Sequence, residues 1–568
     1  MTDPARTSRP AATRWRSVYA PLGHGCVALF LLPGCADFGT GGTGELVIPP
    51  GRLRQVETLE LEAAGDEEAA SLEDARPSPF AEMAELPLDI EEARALALEH
   101  NLGIRVDLLA PTVGRQQVVA ARAAFESLFT LDAAFGRFDT PTASELDGSQ
   151  FETLSVTPGV VIPLYTGGTI TATLPLNRQE TDNDFATLNP SYESDAALSI
   201  RQPLLRGAGV AANARSIRLA FYAFQQSLAR TKLAIVRLVS DTDRAYWSLF
   251  AARELLGVRL AELELSQEQL ARAKRRVAAG DVAEVEVLRS RASVAEAVEA
   301  IIVAENSVRD RQRVLKRLMN APGLDLSGPT QLLTQTDPTA TRYVADDEAL
   351  AAEAVAGRME LVEAELAIAA EAANVAAAEN GLLPVVTLDY TYQANGLGDG
   401  FDNSFRQLGD VDFEDHRVGL NVQVPIGNRL ARAELRQALA SKVQRLFEYE
   451  DRKLLIRQEV FDAADQLRST WQRILAARQR VDLEARLYDA EVRQFEQGLR
   501  TSTDVRIVQN RLAAARASEI DAVASYQIAR VDLAFATGRT LAATAIDWSP
   551  ADVPEDAVEP APNLTAGG

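Results

Sequence analysis

Apolar residues recur every seven positions through two long stretches of this 568-residue chain. The first row is Phe221, Leu228, Ile235, Thr242, Leu249, Leu256, Leu263, Leu270 and Val277, with Thr242 its one departure. Moving 218 residues along gives Leu439, Leu446, Lys453, Val460, Leu467, Ile474, Val481, Tyr488 and Phe495, with Lys453 alone out of pattern. A strict seven-residue row predicts helices that supercoil left-handedly against neighbours. Helices of about 70 residues would be about 100 Å long, deeper than a single globular core. The second row that a two-stranded coil needs is spoiled by Gln225, Lys232, Arg253 and Gln267. Each helix is therefore expected in a wall, between two neighbours.

Each row ends three residues before a glycine, Gly280 in RVAAGDVAEVEV and Gly498 in FEQGLRTSTDV. Helical spacing then resumes, with Val287, Val294, Ile301, Val308 and Leu315 in the first copy. The phase jumps by ten residues between Val277 and Val287, as a chain reversal requires. Glycine suits the left-handed conformation that closes a helix. Asp281, and Thr501 to Thr503, are natural caps for the helix that follows. Both stretches are read as tips of helical hairpins.

Alternation with period two precedes each long helix and predicts strands with one wet and one apolar face. The first repeat has LFTLDAAFGRF (128–138) and DAALSIRQPL (195–204); the second has PVVTLDYTYQ (384–393) and HRVGLNVQVP (416–425). Pro203 and Pro425 mark the switch towards helix. LSVTPGVVIPL (154–164) and GTITATLPL (168–176) add a hairpin that either lies outside a barrel or extends it. These strands are long enough to cross a bilayer, and a membrane sheet must close to leave no edge. Four strands are too few, since the smallest barrels have eight; three chains would supply twelve.

Composition narrows the function. Cys26 and Cys35 are the only cysteines, the three histidines are scattered, and neither a GxSxG nor a phosphate-binding loop is present. No enzyme, metal or cofactor is implied. No run of 18 apolar residues predicts a membrane helix. Arginines 6, 9, 14 and 16 precede the short apolar run VALFLL and then LPGC at 32–35. LPGC resembles the lipobox of bacterial lipoproteins, which implies cleavage after residue 34, acylation of Cys35 and, with Ala36 following, sorting to the outer membrane. Cleavage would take the net charge from -23 to about -26, unsuited to nucleic acid as a partner.

The succession of helix, strands, long helix, glycine tip and helix, given twice, resembles the TolC family of bacterial outer-membrane efflux proteins over residues 85–540. The pieces are LDIEEARALALEHN (88–101), SIRQPLLRGAG (199–209), AAGDVAEVEVLRSR (278–291), LPVVTLDYTY (383–392), VGLNVQVPIGNR (418–429) and GLRTSTDV (498–505). The resemblance implies a mainly α fold with a membrane β-barrel, a homotrimer with an α-helical tunnel and a shared barrel of twelve or more strands. It places a leader at 1–34, an acidic linker at 35–84, a first repeat at 85–320 and a connector at 321–345. A second repeat follows at 346–540 and a disorder-like tail at 541–568. The partners implied are outer-membrane lipid, a periplasmic adaptor and an inner-membrane pump. Passive conduction would be gated at the tips, with Asp504 facing the pore and Arg500 in a polar latch. Phe495 stands where the family often has an aromatic hydroxyl, and Ile507 where a second acid is common. Glu286, the repeat equivalent of Asp504, would add charge, although a solvated helix face is the simpler reading for it. For Asp504 the simpler reading is a helix N-terminal acid; for Arg500, an adaptor contact is as natural as a latch. A lipid-anchored periplasmic coiled-coil protein, or the adaptor itself, is the alternative class, but an adaptor would carry one hairpin.

Overall fold

A computed structural model describes residues 84–142, 148–280, 282–344 and 346–548. Cys35, the expected leader, most of the linker, Asp281 and the tail after 548 lie outside the described residues.

The first half runs β1 (Glu85–Leu88), α1 (Ile90–His100), α2 (Leu102–Asp107), α3 (Ala110–Ala123), β2 (Leu128–Asp139), β3 (Gln150–Pro163), β4 (Thr169–Thr173), β5 (Leu176–Thr181), β6 (Ser191–Pro203), α4 (Val210–Asn213), α5 (Arg215–Ala278) and α6 (Val285–Met319). The second runs β7 (Gln331–Thr334), α7 (Asp347–Gly357), α8 (Met359–Gly381), β8 (Val385–Gly398), α9 (Phe401–Asp410), β9 (Glu414–Gln423), α10 (Arg429–Glu496), α11 (Ser502–Ala536) and α12 (Thr540–Ala543). No described helix is long and apolar enough to cross a membrane.

Helices α5 and α10 have 64 and 68 residues, about 96 and 102 Å at 1.5 Å per residue. The heptad rows are buried at mid-length, through Ile235, Thr242 and Leu249 in α5 and Val460, Leu467 and Ile474 in α10. Both departures from the pattern have a local cause. Thr242 is buried but donates its hydroxyl to the Leu238 carbonyl at 2.8 Å. Lys453 sits on a half-open face, where it pairs with Glu450 at 3.1 Å. Helix α5 packs on α6 and α11, and α11 on α10, so the lower wall runs α6, α5, α11, α10. Towards the strands, α3 packs on α5, and α8 lies between α5 and α10.

A belt joins the repeats at the middle of the wall. Strands β1 and β7 pair in parallel, which sets Leu88 and Leu332 against Tyr246, Leu249, Val308 and Leu315. The second core gathers Leu350, Leu361, Ile456, Val460, Tyr526 and Leu533. Arg94 of α1 grips the buried Asp243 of α5 through two bonds of 2.7 and 3.0 Å. Burial pushes the Asp243 carboxyl up, and Arg94 pulls against it. Residues 541–548, read from the sequence as the start of a tail, are packed on the wall, with Leu541 and Trp548 beside Ile104, Ile235 and Leu238.

The remaining strands form one antiparallel sheet in the order β2, β3, β4 with β5, β6, β8, β9. Strands β4 and β5 lie end to end between β3 and β6, interrupted at Pro175, which has no N–H to give the ladder. Seven strands thus fill six positions. The hairpin left open by the sequence lies inside the sheet, between β2 and β6, so one chain supplies six strand positions where four were expected.

Register sorts the side chains onto two faces. One carries Phe129, Leu131, Val160, Ile170, Leu198, Ile200, Leu388, Val418 and Leu420; the other carries Thr130, Asp132, Thr157, Thr171, Ser199, Thr391, Arg417 and Asn421. Helix α9 lies over the far end of the apolar face, where Ser404 bonds the buried Ser194 at 2.7 Å. Phe401 meets Tyr192 edge-on there.

Candidate functional site at the hairpin tips

The predicted gate and tip residues lie at the end of the helical wall farthest from the sheet, where α5 turns into α6 and α10 into α11. Gly280 and Gly498 both take the left-handed conformation, with φ of 78° and 75°. At the second tip the Gly498 N–H donates to the Phe495 carbonyl at 3.0 Å and the Leu499 N–H to Gln494 at 2.9 Å. That pair of bonds satisfies carbonyls that the end of α10 would otherwise leave open.

Helix α11 starts with a reciprocal cap. Thr501 Oγ1 accepts from the Asp504 N–H at 3.3 Å, and Asp504 Oδ2 accepts from the Thr501 N–H at 2.9 Å. The Thr501 hydroxyl also donates to the same carboxylate oxygen. The Thr501 backbone and hydroxyl, with Arg500 as a smaller influence, hold the Asp504 carboxyl below its ordinary range. Both bonds to the carboxylate use Oδ2 and leave the polar capacity of Oδ1 outside the cap.

Arg500 folds back on its own hairpin. Its Nε donates to Gln494 at 3.0 Å and lies 3.2 Å from the largely buried Glu491 carboxylate. Glu286 differs from the solvated face expected of it. Its side chain is 23% exposed, pairs with Arg289 at 2.6 Å and accepts a hydrogen bond from Ser502 of the other tip. Packing of the two hairpins brings positions 286 and 502 together, and no local pattern could announce that pair.

Further ties join the hairpins. The Arg276 guanidinium lies 5.4 Å from the centre of the Phe495 ring, so the ring that lacks a hydroxyl still binds across the gap. Gln269 donates to Gln509, and Arg506 reaches Ser293 at 3.4 Å. Gln269, Arg276, Glu286, Phe495, Arg500 and Ser502 border a cavity of about 310 Å³, lined also by Arg272, Tyr488 and Val505. Burial pushes the Tyr488 phenol up. The sequence singled out Glu286 but not its tie to Ser502, and it did not single out Arg276. Among the described residues no group of three or more His, Cys, Asp or Glu is placed to hold a metal ion. The arrangement is a polar clasp between two helical hairpins.

The family model described as "Outer membrane efflux protein" matches residues 169–321 and 350–539. The outer membrane efflux protein BepC of Brucella suis is 25% identical over 299 residues, which are 52% of this chain and 62% of that protein. The outer membrane protein TolC of Vibrio cholerae is 25% identical over 189 residues, 33% of this chain and 42% of that one. The chain thus aligns with less than two thirds of either relative. Among solved structures, the CmeC outer membrane channel of Campylobacter jejuni superposes with a TM-score of 0.60 at 14% identity, covering 79% of this chain and 86% of that one. The fold is that of the outer-membrane channels. With most of its length inside the family match, this chain belongs to the outer membrane efflux protein family.

Proposed function

We propose that the chain is the outer-membrane channel of a tripartite efflux or type I secretion system, a homotrimer that conducts substrates passively from a periplasmic tunnel to the exterior. The observation that carries this reading is a six-position sheet, apolar on one face and polar on the other, continuous with a helical wall about 100 Å long. An apolar face this extended has no use in water. Phe135 and Val418 on the two edge strands are 69% and 71% exposed, which in a soluble protein would invite aggregation. Lipid outside and water inside account for both faces.

In this reading the tips face the periplasm, where an adaptor and an energised inner-membrane pump engage them, and Cys35 adds a lipid anchor. Opening separates the hairpins, so the Glu286–Ser502 bond and the Arg276–Phe495 contact act as the clasp and Arg500 as its buttress. Asp504 keeps an ionised carboxylate at the constriction, and a ring of three would favour cations. Asp504→Asn is then expected to lower cation over anion permeability in planar bilayers; an unchanged ratio would remove Asp504 from the pore. A lipid-anchored coiled coil or an adaptor leaves the apolar sheet face unexplained. The deciding test is electron microscopy of the detergent-purified protein. Hollow tubes near 100 Å long with threefold end views are expected, and solid rods or particles without a lumen would overturn the channel.

A further inference from the structure

The two repeats place different numbers of strands between corresponding helices. Two, β8 and β9, lie between α8 and α10, whereas β2 to β6 fill four positions between α3 and α5. The additional hairpin is part of the wall. Strand β3 pairs along all of β2, and β4 pairs Ile170 with Ile200 and Thr171 with Ser199, so β2 never touches β6. The family match starts at residue 169 in the first repeat but takes in the second from 350, so β2 and β3 lie outside it. We infer that the membrane barrel has eighteen strand positions, six from each subunit, closed by β9 of one subunit pairing with β2 of the next. This deepens the trimeric channel reading and rests on it.

Four observations select a second copy of the chain as the occupant of the open edges. Strand β2 runs away from the helices and β9 towards them, so joining one to the other keeps every pair antiparallel. The edges continue into the helical wall: α3, before β2, exposes Val113 and Val119, and α10, after β9, exposes Leu430, Leu439 and Phe447. Setting Arg137 of β2 opposite Glu414 of β9 makes a pair of opposite charge and aligns Leu131 with Leu420 and Phe129 with Val422. The same register meets the tilt of a closed barrel. Within the subunit, pairing sets Phe129, Val160, Ala172, Leu198, Tyr392 and His416 level. Closure sets His416 beside Phe135 instead, a climb of about six residues over six strand steps. At 3.3 Å per residue and 4.8 Å per step the tilt is about 35°, within the range of membrane barrels.

Barrel diameter grows roughly linearly with strand number, so this wall would be about one and a half times as wide as a twelve-stranded one. Its inner surface is rich in threonine, with Thr130, Thr157, Thr171 and Thr391 all on the polar face. A bore of that width does not select small solutes, which leaves selection to the hairpin tips.

The test is a cryo-electron-microscopy map of the intact protein in nanodiscs, with the subunit count taken from native mass spectrometry. A trimer with eighteen strands in cross-section is the expected result. A trimer with twelve strands, residues 150–181 lying off the wall, overturns the wide barrel and leaves the channel standing; any other subunit count overturns the trimer itself. Labelling gives a second readout on variants compared with the parent protein. Ile170→Cys, facing lipid, should react with a charged maleimide about tenfold or more slower than Thr171→Cys, facing the lumen. Equal rates in a trimer would place the hairpin outside the wall.

Discussion

The first and second repeats share a helical hairpin of nearly the same length and heptad phase, yet they differ at the sheet, the belt and the tip. The first carries the additional strand hairpin; the second carries α9 over the sheet instead. At the belt the first uses a buried pair, Arg94 with Asp243, whose side chains are 15% and 3% exposed. The second uses Arg358, 6% exposed, between Glu360 and the more open Glu459. At the tips, Glu284 precedes α6 without a side-chain cap, whereas Thr501 and Asp504 cap α11 reciprocally. Heptad packing tolerates little change along the shared wall. Away from those heptad contacts, at the sheet, the belt and the tips, each copy takes its own chemistry.

The largest effect expected from this contrast is at the belt. Arg94→Ala strands a buried carboxylate and should cost about 3–5 kcal/mol. Glu459→Ala should cost about 1 kcal/mol, since its partner keeps Glu360 and the lost carboxylate is partly solvated. Thermal unfolding of the two variants checks the ranking, and equal losses would break it.

Next come the glycines, where the repeats should agree. A Cβ at Gly280 or Gly498 meets nothing within 4 Å, so each Ala variant should pay only the left-handed backbone penalty, about 1–2 kcal/mol. Hydrogen exchange at each tip measures it; a loss at one tip alone would show that the turns are not equivalent.

The caps should then separate the tips again. Thr501→Ala is expected to cost about 1 kcal/mol locally, and Glu284→Ala close to nothing, both read from amide protection in the first turns of α11 and α6.

The smallest effect is the response to acid. Because the Asp504 carboxyl titrates below its ordinary range when folded, its cap is complete above that range and is lost as pH falls through the lowered value. Protection of residues 501–505 should fall in that window in the parent and not in Asp504→Ala. A matching fall in the variant would assign the acid response elsewhere.

The sequence by itself determined the elements that repeat at short range. Seven-residue spacing specified the long helices, glycine with cap residues specified the tips, and period-two alternation located the strands, including 154–164 and 168–176. Each of these is a local regularity, imposed by helix pitch or strand pleat on neighbouring residues. Tertiary structure alone decided that the additional hairpin sits between β2 and β6, that Glu286 ties to Ser502 across 216 residues, and that Arg94 meets Asp243 across 149. Such contacts are fixed when preformed elements pack, where burial of shared apolar faces sets the register and polar side chains take the partners left within reach. No window of sequence contains both halves of that choice.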